Sequence, residues 1–242
     1  MLAILRFIFI LTCCIFICIG GLIYSLIRFR NPSNVQVISR CFGRLGKFFG
    51  LNVEHRFSPN TPNTPCIYIA NHQNNYDMVT VSYMVRPRTV SVGKKSLVWI
   101  PLFGLMYWAT GNILIDRNNR KKGHHTMDIL AKRMHKENLS IWMFPEGTRS
   151  RGRGLLPFKT GAFHAAIDAQ VPIIPVVCST TQGKVKLNRW NNGKVICEEM
   201  APIDISDYSK DKVRDLAAYC HDIMEKRIAE LDAEIAKEQQ SQ

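Results

Sequence analysis

The sequence predicts an α/β protein: a single mixed, largely parallel sheet flanked by helices, preceded by an N-terminal membrane helix and an amphipathic helix. Three observations carry this. The amino end holds an uncharged apolar run; from residue 66 onward short apolar runs alternate with stretches of helical periodicity; and no linker is long enough to separate a pair of soluble domains. Residues 1–50 therefore read as an N-terminal membrane anchor and residues 51–242 as one α/β domain.

The first element is residues 7–27, "FIFILTCCIFICIGGLIYSLI", with no charged side chain over 21 positions. At 1.5 Å per residue that length matches a hydrocarbon layer of ~30 Å. A cleaved signal peptide would carry a shorter apolar region and a small-x-small site, and this run has neither. Arg28, Arg30, Arg40, Arg44 and Lys47 follow the run and only Arg6 precedes it. That bias places the rest of the chain in the cytoplasm. Residues 35–50, "VQVISRCFGRLGKFFG", set apolar side chains at near-helical spacing with Arg40, Arg44 and Lys47 between them. Two readings are open for this helix: lying in the lipid head-group region, or packing on the globular domain.

The runs at 66–70, 88–92, 112–116, 140–144 and 172–179 are short, apolar and rich in β-branched residues, the pattern of buried parallel strands. Helices are expected over 77–85, 101–109, 122–136 and 160–169. A last helix over about 209–236 puts Val213, Leu216, Cys220, Met224, Leu231 and Ile235 on one face.

Charge narrows the function. The formal net charge is +13, and 15 Lys/Arg against four Asp/Glu lie between Arg86 and Lys159. Such a field attracts phosphates. With a membrane anchor on the same chain, lipid rather than nucleic acid is the expected partner. Three of the eight cysteines (Cys13, Cys14, Cys18) sit in the apolar run, and the rest show neither C-x-x-C nor zinc spacing, so no disulfide framework or metal site is expected.

Sites in open α/β sheets form at the carboxyl ends of strands. "NHQNNYD" (71–77), "GKKS" (93–96), "DR" (116–117) and "PEGTRSRGRG" (145–154) all fall at such ends. In a continuous helix His72 and Asp77 would point roughly 140° apart, unable to touch. Gln73, Asn74 and Asn75 are turn formers, so the strand can end at His72 and a helix can start near Asp77, folding the carboxylate back onto the imidazole. A carboxylate holding one ring nitrogen while the other faces a substrate is the base-and-orienter pair of acyl transfer. No G-x-S-x-G elbow occurs, so no enzyme nucleophile is evident and the substrate is expected to bring its own hydroxyl. In the loop after 140–144, Gly147 lets backbone N–H groups approach an anion and Arg149 offers a two-pronged phosphate donor. Glu146 would steer that loop or pair with Arg149. The stretch 97–108, "LVWIPLFGLMYW", is a candidate wall for an apolar slot, with ordinary core as its alternative.

"NHQNNYD", "GNILIDR", "FPEGTRS" and "VPIIP" (171–175), in this order and spacing, resemble the four blocks of the glycerolipid acyltransferase family, and the likeness runs over essentially the whole chain. The resemblance implies transfer of a fatty acyl group from acyl-CoA or acyl carrier protein to the sn-2 hydroxyl of lysophosphatidic acid, giving phosphatidic acid at the cytoplasmic face of the inner membrane. It implies His72 as base and Asp77 as its partner, and Glu146, Gly147, Thr148 and Arg149 at the acceptor phosphate, complemented by Lys94 and Arg117. Thioester cleavage drives such a reaction, so no cofactor is expected. Two alternatives share these features: a related enzyme acting on glycerol 3-phosphate or another lysophospholipid, and a non-catalytic anionic-lipid-binding protein. The His72–Asp77 pair argues against the second, since binding needs no base.

Overall fold

The computed structural model describes residues 1–116 and 120–240. Seven strands, β1 (Asn52–Arg56), β2 (Ile67–Ala70), β3 (Thr89–Lys94), β4 (Ile113–Ile115), β5 (Ser140–Met143), β6 (Ile173–Cys178) and β7 (Lys194–Glu199), form one sheet in the order β1-β7-β6-β2-β5-β3-β4. From β6 to β4 every neighbouring pair is parallel; β7 runs antiparallel to β6, and β1 parallel to β7. The five strands β2 to β6 are those the apolar runs predict. β2, β5 and β6 are buried at every position, as strands covered on both faces must be. β1 and β7 carry no such signal: "NVEHR" is polar and partly exposed, and "KVICEE" is half charged. They join the sheet by backbone pairing at its edge.

The helices are α1 (Leu2–Ile27), α2 (Ser33–Arg44), α3 (Phe103–Ala109), α4 (Arg120–Glu137), α5 (Gly161–Ala169) and α6 (Val213–Gln240). α5 packs on β2 and between α4 and α6, and α6 lies on β6 and β7. The core holds Ile67, Ile69, Ile141, Phe163, Ile173, Ile196 and Leu216, none more than 2% exposed. Each such side chain contributes about 1.5–3 kcal/mol by leaving water.

Two expectations change. The predicted helix 77–85 is instead two 3₁₀ helices, Asn75–Val79 and Val81–Met84. The β-branched run Val79-Thr80-Val81 disfavours an α-helix, and Thr80, at φ −117° and ψ −85°, breaks it while its hydroxyl donates to Tyr76 O. For residues 35–50, the packed reading holds: Val35, Ile38, Phe42 and Leu45 are buried, and Arg40 and Arg44 lie over the Tyr83 ring. Most of its apolar face packs against the domain and α1, and Phe48 stays exposed.

α1 is long and apolar enough to cross a membrane, by length and composition alone. It also lies along the rest of the protein from end to end. Near its start Ala3 N donates to Asn188 Oδ1 (2.9 Å), and Arg6 to the Leu187 and Arg189 carbonyls. Gly21 sits against Ile38 and Met106, where a Cβ would come within 3.1 Å of both side chains. Just past its end Arg30 N donates to Ala109 O (3.1 Å).

Candidate active site

The parallel strands β2, β5 and β3 are neighbours, so the segments leaving their carboxyl ends meet on one edge of the sheet. His72 follows β2, Glu146–Arg149 follow β5, and Lys94 ends β3.

The chain turns at residues 72–77 as the turn formers require. Asn74 caps the first 3₁₀ helix, accepting from Tyr76 N (2.9 Å), and Asp77 reaches back across the turn. One carboxylate oxygen, Asp77 Oδ2, meets His72 Nδ1 at 2.6 Å and also accepts from Gln73 N (2.8 Å) and Asn74 N (3.2 Å). A carboxylate can only accept here, so Nδ1 carries a proton, and in the neutral ring Nε2 holds the lone pair. The His72 ring stacks on Phe144 with centroids 4.2 Å apart, which fixes its plane. His72 Nε2 has no hydrogen-bond partner among the described residues, and the side chain keeps 19% of its surface exposed. The arrangement can therefore take a proton from something that approaches from solvent.

Glu146 is buried and does not pair with Arg149. Its two oxygens accept from His72 N and Leu156 N, tying the loop after β5 to the residue that carries the imidazole. Burial raises the Glu146 carboxyl above its ordinary value of 4.5, against the opposing pull of those two N–H groups. Further ties run from Ser150 N to His72 O (2.8 Å) and from Arg151 N to Gln73 O (2.9 Å). These contacts tie the two loops to each other.

Gly147 has φ +71°, open to glycine at no steric cost. A Cβ there would also lie 2.9 Å from the end of the Lys159 side chain. Thr148 and Arg149 are exposed beside it, and Lys94 is exposed at the end of β3. The sequence-predicted site thus gathers His72, Asp77, Glu146, Gly147, Thr148, Arg149 and Lys94 on one edge. Arg117 lies outside the described residues. The expected apolar wall at 97–108 divides instead: Met106 and Tyr107 are buried, whereas Val98, Trp99, Ile100, Leu102, Leu105 and Trp108 face outward.

The sequence marks Gln73 only as a turn former and gives Asn71 no role. Both side chains are buried clamps. Asn71 exchanges two hydrogen bonds with the Cys178 backbone (2.9 and 2.8 Å). Gln73 Nε2 donates to Cys178 O and Ser179 O, and its Oε1 accepts from Thr181 N and Thr181 Oγ1. They flank His72 and sew it to the end of β6. The only sequence signal was the placing of two amides on either side of a strand-end histidine.

A family model described as Acyltransferase matches residues 51–179, which include every one of these segments up to the end of β6. The chain is 70% identical over 238 residues to the 1-acyl-sn-glycerol-3-phosphate acyltransferase of Haemophilus influenzae, covering 98% of this chain and 99% of that one. The chain belongs to the acyltransferase family. The Escherichia coli protein of the same name is 59% identical over 98% of this chain and 97% of its own length. The crystal structure of the 1-acyl-sn-glycerophosphate (LPA) acyltransferase of Thermotoga maritima superposes with a TM-score of 0.74 at 26% identity, covering 96% of this chain and 95% of that one. The acyltransferase fold is thus the mixed, mostly parallel sheet with its N-terminal apolar helix.

Proposed function

We propose that this acyltransferase moves a fatty acyl group from a thioester donor, acyl-CoA or acyl carrier protein, to the sn-2 hydroxyl of 1-acyl-sn-glycerol 3-phosphate, giving phosphatidic acid. The relatives' names support the acceptor. The observation that carries the chemistry is the 2.6 Å contact between His72 Nδ1 and Asp77 Oδ2, which leaves Nε2 as the basic nitrogen at the mouth of the site. The hydroxyl oxygen attacks the thioester carbonyl carbon while Nε2 takes its proton. As the tetrahedral intermediate collapses the C–O ester bond stays, the C–S bond breaks, and the imidazolium returns the proton to the departing thiolate. Asp77 stabilises the imidazolium in between.

The acceptor's phosphate monoester is gripped by Arg149, with Thr148, the backbone at Gly147, Lys94 and Arg117 as complements. Arg149 has the fork geometry for two phosphate oxygens. Glu146, its carboxylate committed to two backbone N–H groups, acts by holding that loop against His72.

The enzyme works on the cytoplasmic face of the inner membrane, with residues 1–50 as its anchor. α1 supplies the apolar surface, and its contacts at both ends favour a helix lying along the leaflet, since a spanning helix would carry one end away from the domain. The arginines after α1 then attract anionic lipid rather than set a crossing direction.

The test is His72→Ala, assayed for product from radiolabelled acyl donor and lysophosphatidic acid. A positioned base contributes ~10²–10⁴ in rate, so transfer should fall at least that far with unfolding temperature near wild type. Retention of more than about a tenth of wild-type turnover would remove His72 from the role.

A further inference from the structure

The outward-facing apolar segment between β3 and β4 has no place in the reaction just described. β3 ends at Lys94 on the catalytic edge, and a 3₁₀ helix, Lys95–Trp99, leads into α3. Trp99 is 83% exposed, and Val98, Ile100, Leu102 and Leu105 are exposed around it. Trp108, also exposed, meets Phe29 edge-on with centroids 5.4 Å apart and lies under the Arg30 guanidinium. α1 packs beside α3, and its own outer side chains are apolar. The two helices present one continuous apolar surface.

The segments that build it carry charge of a single sign, although Glu137 of α4 faces Arg30 at the Trp108 end. No Asp or Glu occurs in residues 1–53 or in residues 78–115, the segments from which α1, α2, α3 and the Lys95–Trp99 turn are built. Lys95 is exposed next to the apolar tip. A protein partner of ordinary composition would find no carboxylate in these segments to pair with, whereas an anionic lipid surface meets both the apolar side chains and the cations.

We propose that the segment from Lys95 to Trp108 docks on an anionic phospholipid bilayer, with Trp99 inserted at the interface and Lys95 at head-group level. This is a second point of attachment beside α1. It leaves the sheet at the edge that carries His72, so docking turns the mouth of the site toward the leaflet. The proposal rests on the lipid-acyltransferase reading only for its purpose; the contact itself is measured separately.

The full chain is mixed with vesicles of phosphatidylcholine carrying brominated acyl chains, with and without phosphatidylglycerol. Tryptophan emission should be quenched, and Trp99→Phe should lose the largest share of that quenching; unchanged quenching in the variant overturns the proposal. Lys95→Glu removes one attraction and adds one repulsion, each worth about fivefold in partitioning, so binding to the anionic vesicles should weaken by roughly 25-fold. Binding that ignores both phosphatidylglycerol and Lys95→Glu overturns the electrostatic half. Trp99→Asp should slow transfer to an acceptor embedded in vesicles and leave transfer to a short-chain, freely dissolved acceptor near wild type. Equal slowing on both acceptors overturns the docking role, and absence of transfer by the wild type overturns the functional reading while the quenching result stands on its own.

Discussion

Asp77→Asn isolates the electrostatic part of the mechanism. Asp77 Oδ2 receives three hydrogen bonds, from His72 Nδ1, Gln73 N and Asn74 N, while Oδ1 is buried without a partner among the described residues. An asparagine with its carbonyl oxygen at the Oδ2 position keeps all three donors. Its amide nitrogen occupies a slot whose present atom is already unpaired. Geometry and fold are therefore retained, with an expected loss of about 1 kcal/mol or less and a fall in Tm of about 2–4 °C. The charge is lost. When His72 becomes an imidazolium, a carboxylate about 4 Å from the centre of that charge stabilises it by about 4 kcal/mol at an effective dielectric constant near 20. The retained neutral hydrogen bond offsets about 1 kcal/mol of that. At 1.36 kcal/mol per decade the expected fall in kcat is about 10²–10³. The assay is steady-state thiol release from acyl-CoA with saturating lysophosphatidic acid in detergent micelles. A kcat within threefold of wild type would refute the reasoning and reduce Asp77 to a cap of the 3₁₀ helix.

Three more expectations follow from individual contacts. Arg149→Lys keeps the charge but not the fork, so acceptor kcat/KM should fall roughly tenfold to a hundredfold with donor KM unmoved; a defect confined to the donor would reassign Arg149 to the thioester side. Gln73→Met strands the Thr181 N–H and the Ser179 carbonyl, each at about 1–3 kcal/mol if left unpaired, and loosens the backbone that aims His72. Its kcat should drop more than its acceptor KM rises, and equal kcat with a lowered Tm would make Gln73 purely structural. For Glu146→Gln, a lone amide oxygen cannot serve both His72 N and Leu156 N, so turnover should fall. In wild type, burial raises the Glu146 carboxyl above 4.5, so the stability it gives below its unfolded value is lost as pH rises through the folded value. The glutamine has no such loss. The Tm gap between variant and wild type should therefore narrow from acid toward neutral pH, and a gap that widens would contradict the assignment.

Strands β2 to β6 and helices α3, α4 and α5 were legible because a place in the parallel sheet demands short apolar runs, and helices demand a period near 3.6. β1 and β7 were not, since an edge strand such as "NVEHR" owes its place to backbone pairing with a distant segment and its side chains carry no pattern of their own. The fold-back of Asp77 onto His72 was also legible, because turn chemistry acts between near neighbours. What Glu146 and Gln73 do was decided only by tertiary structure. Their partners, Leu156 for one and Cys178, Ser179 and Thr181 for the other, are backbone groups that any residue type could offer, so no sequence pattern announces them. The apolar stretch at 97–108 shows the same limit. Composition alone fixed that it would shun water, and only the packing of α3 beside α1 decided that half of it would face outward, because hydrophobicity has no direction until a neighbouring surface supplies one.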